Sequence, residues 1–509
     1  MNQAFSVIGT TFDLAPFHTI LGPTIREVLD EQGLNKFRRG TILIPRLLIW
    51  LVLSMTLRRD LSADNVFSWM MSGFRWIKAI LPAKAKIVTD GAISKARICL
   101  GVKPFESVLE KQMAAFNNLP RDFHGLVSYI FDGTTGSMPD TDENRDYFHK
   151  PSSQKGQAGF PLVRIMALLA YPVRLVVKVA YAPYSGKGTG ERTLVMQILE
   201  SVVLKDALFL LDAGLYSFKL IYTILQKDGH FLIKVPSNFT VKIIKKLADG
   251  SYIAIVSGKV LDPDAKPRSD GKNSWKKVEI TVRLIRYQIP GFKTVTLISS
   301  LLDENITAKE LILHYHKRWD IEITYDEIKT HQCATLRGQI PTLFRSKRPD
   351  LVKQELLAMM IMYNATRELI WKAAIKHNKD PLKISFLAAL QHIIDAIPML
   401  TAQNDSERKW EYLLELIADG EIDRPRRARV NPRVVKIKSK KWPRKNSKHK
   451  SIERHLEKEI TILPHKMSNS SDDSESVSSP ESVPISHLTP NPLSIHTKKC
   501  NKIYEIFYT

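Results

Sequence analysis

Cysteine is scarce in this sequence, with three residues among 509, at Cys99, Cys333 and Cys500. No two of them form a C-x-x-C pair, so the sequence predicts neither a disulfide framework nor a cysteine-ligated zinc site. The first residues, MNQAFSVIGTTFDLAPF, also lack the basic-then-apolar layout of a signal peptide. These absences favour a protein of the reducing cytoplasm.

Long hydrophobic runs are also missing. The most apolar stretch, ILIPRLLIWLVLSMTL (42–57), is short for a membrane span and contains Pro45 and Arg46. It therefore predicts a buried helix of a globular protein, and another helix is expected around 62–80. The chain is 44% hydrophobic, enough for sizeable cores, and its length predicts about three domains.

Acidic residues are absent from one tract, 424–450, which contains thirteen Lys or Arg residues. The net charge of the chain is +23, so this tract accounts for more than half of the excess. Such a tract either binds a polyanion or remains solvated. Beyond it, residues 466–491 are rich in Ser, Pro and acids and poor in apolar residues, which predicts a disordered tail over 466–509.

Two short apolar runs each deliver an aspartate to the start of a turn. LVSYIFDGTTG (126–136) is expected to end as a strand at Asp132, and DALFLLDAGLYS (206–217) at Asp212. The ends of strands are where α/β proteins place ligands and chemistry. Taken singly, each aspartate also suits an ordinary turn.

A third segment, HYHKRWDIEITYDEIKTH (314–331), contains four polar residues at helical spacing. Tyr315, Arg318, Glu322 and Lys329 fall within roughly 60° of one another on an ideal α-helix. Arg and Lys bind phosphate oxygens, Tyr donates a further hydrogen bond, and Glu is a hard oxygen ligand for Mg²⁺. The alternative is a solvent-facing Glu322 that pairs with Arg318 or Lys329.

Together FDGTT, DAGLY and Y-x₂-R-x₃-E-x₆-K resemble the DDE transposases of the insertion sequence 4 family. Two further segments are similar to that family, GQAGFPLVR (156–164) and LFRSKRPDLVKQELLAMMIMYNATR (343–367). The resemblance extends from roughly residue 10 to residue 440. It implies a DNA transposase that binds the inverted repeats of an insertion sequence, cleaves the ends and joins them to target DNA.

The resemblance also implies the site. Asp132, Asp212 and Glu322 would be the catalytic and metal-binding residues, with Asp132 bridging two Mg²⁺ ions that Mn²⁺ can replace. Two divalent ions stabilise the attacking and the leaving oxygen of a phosphodiester. Tyr315, Arg318 and Lys329 would contact the DNA phosphate.

One acid competes with Glu322 for this role. Asp326 lies one turn later and close to the same stripe. The family spacing selects Glu322, because Asp326 has no Tyr and Arg at the matching offsets. Asp320 and Glu327 are expected to point away from the stripe.

The fold implied is α/β, a ribonuclease H-like catalytic core with a β-rich insertion. Strands at 126–133, 161–171 and 173–184, a helix at 191–203 and a strand before Asp212 give the ribonuclease H-like order. The domains expected are listed here: 1–120, an N-terminal helical domain that binds the DNA ends; 121–340, the core, interrupted at about 235–290; 341–423, C-terminal helices; 424–465, the basic tract; 466–509, the tail.

The partners implied are double-stranded DNA, both transposon ends and target, and a second copy of the chain in a homodimeric synaptic complex. The location implied is the bacterial cytoplasm, in association with the nucleoid. Two other functions remain open, a catalytically inactive DNA-binding relic and a ribonuclease H-like nuclease. Trp319 and Trp275 are candidates for stacking on a DNA base, but a core position and a sheet-edge position are favoured for them.

Overall fold

The computed structural model describes twelve stretches of the chain. These are residues 15–36, 43–77, 88–116, 118–153, 156–157, 159–236, 238–261, 274–290, 292–332, 342–401, 406–422 and 455–465. Contacts divide the chain into one unit of Met1–Pro464 and another of His465–Thr509. The fold described below is that of the first unit. The predicted basic tract 424–450 and the predicted disordered tail 466–509 lie outside the described residues.

The N-terminal region is helical, as the sequence predicts. Its helices are α1 (Ala15–Glu31), α2 (Pro45–Leu57), α3 (Ala63–Ile77), α4 (Asp90–Leu100) and α5 (Lys103–Ala114). Helix α2 begins at Pro45, where a missing N–H costs no hydrogen bond, and every residue from Leu47 to Leu57 is buried. The predicted buried helix is confirmed. In the part of the chain that is described, no helix is long and apolar enough to cross a membrane.

The central part forms the predicted core. Its elements in chain order are β1 (Val127–Ser137), α6 (Asp142–Phe148), β2 (Ser152–Ser153), β3 (Gly156–Gln157), β4 (Leu162–Ala170), β5 (Leu175–Pro183), α7 (Glu191–Glu200), β6 (Ala207–Leu211), α8 (Phe218–Gln226) and β7 (His230–Lys234). Strands β1, β4 and β5 form an antiparallel meander, and β6 and β7 add in parallel beside β1. This is the ribonuclease H-like arrangement. All five residues of β6 are apolar and buried, so this strand is covered on both faces, which explains its position in the interior of the sheet.

The next segment confirms the predicted β-rich insertion and extends the same sheet. Its strands are β8 (Lys242–Lys246), β9 (Tyr252–Leu261) and β10 (Trp275–Gln288), followed by β11 (Val295–Ser299). The order across the sheet is β5-β4-β1-β6-β7-β11-β10-β9-β8. Strand β8 was not predicted. Its sequence KIIKK lacks strict alternation, and its position at the sheet edge suits lysines, which discourage further strand pairing.

Helices complete the unit. They are α9 (Ala308–His316), a 3₁₀ turn (Lys317–Trp319), α10 (Asp320–Asp326), a π-helix (Glu327–Gln332), α11 (Pro349–Lys376), α12 (Phe386–Thr401) and α13 (Ser406–Asp419). A short helix, α14 (Leu456–Glu459), and strand β12 (Thr461–Ile462) follow the basic tract, and β12 pairs with β10.

The N-terminal helices pack on α11 rather than standing apart. The Arg97 guanidinium donates to Gln354 Oε1 at 3.0 Å, and Arg345 donates to the Met55 carbonyl at 3.0 Å. Both contacts are buried or partly buried, and the helices share one hydrophobic core with α11. The role of residues 1–120 in binding DNA ends stays a prediction.

Candidate active site

The two predicted aspartates lie on neighbouring strands. Strands β1 and β6 pair in parallel, and their last pair is Ile130 with Leu210. Asp132 and Asp212 are each two residues further along, so this register places them level with each other. Adjacent strands are about 4.8 Å apart, a separation that suits two carboxylates sharing one cation.

The prediction that the first strand ends at Asp132 is wrong. Strand β1 continues to Ser137, because its antiparallel pairing with β4 extends from Tyr129 to Ser137. Asp132 therefore lies inside a strand, at the point where pairing with β6 has stopped and pairing with β4 continues. Asp212 does follow the end of β6 at Leu211, as predicted.

The helical segment that faces these strands is not one uniform α-helix. The stretch predicted as a single stripe passes from α9 through a 3₁₀ turn into α10 and ends as a π-helix. The 3₁₀ turn contains Arg318, and the π-helix contains Lys329. Such departures from α-helical geometry are frequent at functional sites. They change the angles that an ideal helix predicts, yet the four side chains still face the strands that bear the aspartates.

Tyr315 and Arg318 are buried beneath the site. The Tyr315 hydroxyl donates to the carbonyl of Leu211 at 3.2 Å, directly before Asp212. Burial lowers the pKa of Arg318, but Tyr315 and the carboxylates of Asp212, Asp132 and Glu322 together raise it above its usual value. One guanidinium thus interacts electrostatically with all three predicted acids, and its Nε is buried without a hydrogen-bond partner in the described part of the chain.

Asp132 and Glu322 lie close enough to repel each other. Burial raises the pKa of Asp132 to about 6, Arg318 opposes the increase, and the charges of Glu322 and Glu191 add to it. Glu322 itself is exposed, on the first turn of α10. A partly buried carboxylate with acidic neighbours has excess negative potential, which a divalent cation would neutralise.

Lys329 connects the π-helix to strand β1. Its ammonium donates to Thr134 Oγ1 and to the Thr135 carbonyl, the second bond at 2.8 Å. In addition, the Tyr325 hydroxyl donates to the Asp132 carbonyl at 2.6 Å. These bonds fix the helical segment against β1 on both sides of Gly133.

The sequence matches the family described as "Transposase DDE domain" over residues 125–365 and the one described as "Insertion element 4 transposase N-terminal" over residues 18–110. The two matches together span more than half of the chain. The chain belongs to the DDE transposases of the insertion sequence 4 family. It is therefore a DNA transposase, a metal-dependent polynucleotidyl transferase, as the motifs predict.

Individual proteins similar to this chain are also described as transposases. The chain is 26% identical over 437 residues to the transposase InsG for insertion sequence element IS4 of Escherichia coli (strain K12), covering 84% of this chain and 93% of InsG. It is 25% identical over 169 residues to the putative transposase InsZ of the same strain, covering 32% of this chain and 55% of InsZ. A cryo-EM structure of the piggyBac transposase synaptic complex with hairpin DNA is similar over 81% of this chain and 86% of that chain, with a TM-score of 0.43 and 11% identity.

Charged side chains beside α10 and the π-helix form a buried ion-pair cluster in the transposase. Arg174 donates to Asp320 Oδ1 at 2.6 and 2.8 Å, and its Nη1 is 3.5 Å from Glu327 Oε1. Arg367 of α11 binds the same Glu327 through Nε at 3.0 Å and through Nη2, and the Tyr363 hydroxyl lies 3.1 Å from Oε2. Asp320 and Glu327 therefore face away from the site, as predicted, and hold the segment to the core.

A Ser–His–Asp combination near the start of β1 does not form a hydrolase triad. Ser128 Oγ is 2.6 Å from His314 Nε2, and Asp122 Oδ2 is 3.8 Å from the same nitrogen. Both partners meet one ring nitrogen, so no relay through the two nitrogens exists. Burial lowers the pKa of His314 to about 2, which leaves the imidazole neutral, and Ser128 and His314 are inaccessible to substrate. The contact joins β1 to α9.

Asp326, the rival for Glu322, is directed elsewhere. Its Oδ2 lies 3.4 Å from His331 Nε2. The acids that raise the pKa of Asp132 are Glu322 and Glu191. Across the residues that the structure describes, no group of three or more His, Cys, Asp or Glu residues is arranged to hold a metal ion.

Both tryptophans of interest are exposed. Trp319 is 38% exposed, and the Arg318 guanidinium lies 4.8 Å from its ring, so the core position favoured from the sequence is wrong. Trp319 is the last residue of the 3₁₀ turn, in which Arg318 is the buried residue. Trp275 is 59% exposed at the first position of β10, where it pairs with Leu261.

Glu191, an acid close to Asp132, was not predicted from the sequence. It is the first residue of α7, and its Oε1 is 3.1 Å from Arg164 Nη1 of β4. An acid in the first turn of a helix is common, because it interacts favourably with the helix dipole, so the sequence contains no distinctive signal. Its distance in sequence from Asp132 conceals the proximity of the two residues.

The substitution Asp132→Asn is expected to stabilise the metal-free transposase at neutral and alkaline pH. Because the folded pKa of about 6 exceeds the ordinary 3.8, ionising Asp132 costs the folded state free energy. The cost is absent below the ordinary pKa, grows as the pH rises between the two values and is complete above the folded pKa; it amounts to about 1–3 kcal/mol. Urea unfolding in EDTA across this range measures it. An identical pH dependence in wild type and variant would contradict the prediction.

Proposed function

We propose that this transposase binds the inverted repeats at the ends of a mobile element, cleaves them and joins the free 3′-hydroxyls to target DNA. The observation that supports this most is the convergence of three chain segments. Asp132 on β1 and Asp212 after β6 lie level on paired strands, and Arg318 interacts with both and with Glu322. A site of this composition suits an in-line displacement at a phosphodiester.

Asp132, Asp212 and Glu322 are the residues that would hold the metal. Each of two ions needs only two of the three carboxylates when Asp132 is common to both, so the chemistry does not require three acids around one ion. Mg²⁺ suits a set of carboxylate oxygens that leaves space for water and phosphate, and Mn²⁺ can replace it. When bound, the ions would stabilise the attacking and leaving oxygens.

Tyr315, Arg318 and Lys329 would organise the DNA phosphate. The unpartnered Nε of Arg318 supports a phosphate contact, because a buried donor without a bond is costly. Lys329 lies beside Thr134, whose side chain is on the same face of β1 as that of Asp132. The Tyr315 hydroxyl donates its proton to the Leu211 carbonyl, so in this geometry Tyr315 holds the end of β6. Its hydroxyl oxygen could then contact a phosphate only through a hydrogen-bond donor that lies between the two.

Surfaces outside the site support binding along the DNA. The exposed lysines Lys242, Lys245 and Lys246 lie on β8 at the outer edge of the insertion, where Lys245 pairs with Glu304. Lys277 lies two residues from the exposed Trp275 on β10 and pairs with Glu279. The basic tract 424–450 precedes a segment that returns to the core, since Leu463 N donates to the Arg286 carbonyl at 2.7 Å. End recognition by residues 1–120, a homodimeric synaptic complex and a nucleoid location complete the proposal.

Incubating the purified transposase with labelled inverted-repeat DNA, target plasmid and Mg²⁺ tests the proposed function. We expect strand cleavage at the ends, followed by joined products, because the three acids and the three phosphate residues are all present. Binding without cleavage would instead support the inactive relic. Nicks without joined products would support the ribonuclease H-like nuclease.

A further inference from the structure

Glu191 approaches the active site from a different part of the chain. Helix α7 begins directly after Gly190, and its first residue extends back across strands β4 and β1. Arg164 of β4 binds the Glu191 carboxylate at 3.1 Å, and Arg164 is itself fixed by a bond of 3.1 Å to the Tyr184 carbonyl and by its position over the Tyr184 ring. The carboxylate is thus positioned by a fixed cation, although 46% of the Glu191 side chain remains exposed to solvent.

The place where Glu191 ends is the backbone of Gly133. A Cβ atom added to Gly133 would lie 2.9 Å from both Cδ and Oε1 of Glu191. Real Cβ atoms do not approach other atoms so closely, so any side chain at this position would displace the carboxylate. Gly133 has no positive φ to explain the glycine. The glycine of the Asp-Gly pair therefore leaves space for Glu191.

This contact brings a fourth acid close to Asp132. Glu191 touches the residue that follows Asp132, and its charge acts on both Asp132 and the Tyr325 hydroxyl that binds the Asp132 carbonyl. An acid that only complemented the dipole of α7 would need neither Arg164 nor a glycine on β1.

We propose that Glu191 is a fourth carboxylate of the divalent-cation site, acting on the ion at Asp132 through its charge, and that Gly133 is glycine to admit it. Arg164 limits how far the carboxylate advances and so sets its distance from the ion. The proposal rests on the proposed function, in which Asp132 binds the cation.

Mn²⁺ binding to the full-length transposase without DNA, followed by electron paramagnetic resonance, tests the proposal. Glu191→Gln, which keeps size and removes charge, is expected to weaken Mn²⁺ binding by about three- to tenfold. Glu200→Gln, at the exposed far end of the same helix, is the matched control and should bind as wild type does. Unchanged Mn²⁺ affinity in Glu191→Gln would overturn the proposal.

A double-mutant cycle tests the role of Gly133. Gly133→Ala alone should weaken Mn²⁺ binding about as much as Glu191→Gln, and the double variant should be no weaker than the worse single variant. Fully additive losses would show that Gly133 acts independently of Glu191. Metal-free thermal unfolding shows that each variant folds; if Gly133→Ala does not, the comparison of Glu191→Gln with Glu200→Gln decides. Asp132→Asn is the reference: if it keeps wild-type Mn²⁺ affinity, the proposed cation site fails, whatever Glu191 does.

Discussion

Asp132→Ala, Asp212→Ala and Glu322→Ala are each expected to lower the rate of end cleavage by at least about a thousandfold, near 4 kcal/mol of transition-state stabilisation. Each substitution removes one of the three acids that interact electrostatically with Arg318. It also removes a negative charge that would hold a metal ion. Binding to the inverted repeats should change little, because we assign it to residues outside the catalytic core. Single-turnover cleavage and a gel-shift titration measure the two quantities on the same preparations.

Asp326→Ala is the control for these variants. Asp326 is on the same helical segment, one turn after Glu322. Its carboxylate lies 3.4 Å from His331 and is not directed at the acids of the site. Its cleavage rate is expected to stay within a few-fold of wild type. Loss of cleavage in Asp326→Ala together with activity in Glu322→Ala would move the third acid to Asp326.

Glu327→Gln is expected to destabilise the transposase by about 3–5 kcal/mol, the usual cost of removing one partner from a buried ion pair. Glu327 neutralises Arg367, which is fully buried, and is 3.5 Å from Arg174. Without that charge, Asp320 still pairs with Arg174, but Arg367 loses the acid with which it forms its ion pair in the described residues. The midpoint and slope of urea unfolding at pH 7 give the free energy.

The matched comparison is Glu279→Gln on the exposed face of β10, whose carboxylate is 3.1 Å from Lys277. An exposed ion pair contributes little, so this variant should unfold at nearly the wild-type urea concentration. Equal effects of the two substitutions would mean that the buried cluster is not what holds the π-helix to the core. Because Glu327 begins the π-helix that contains Lys329, Glu327→Gln is also expected to impair cleavage.

Much of this transposase is determined by local sequence. The apolar run that ends at Leu211, the spacing from Tyr315 to Lys329 and the apolar stretch of α2 predict strand, helix and burial, because periodicity and turn residues act over short distances. The ribonuclease H-like order of the core strands, which the family resemblance implies, is confirmed, and the strands of Asp132 and Asp212 are neighbours. The family motifs then identify Asp132, Asp212 and Glu322 as the acids of the proposed site.

Other features depend on partners far away in the sequence, so only the tertiary structure decides them. Strand β1 continues past Asp132 because β4 pairs with it, and α10 gives way to a π-helix where Arg367 and Arg174 bind Glu327. Trp319 is exposed at the last position of the 3₁₀ turn, whereas Arg318 in the same turn is buried. The sequence determined which side chains could perform the chemistry. The packing of α7 on β4 and β5 brings Glu191 to Gly133 of β1. It thereby determined which further charge acts on these side chains, since electrostatic interaction depends on distance in space and not along the chain.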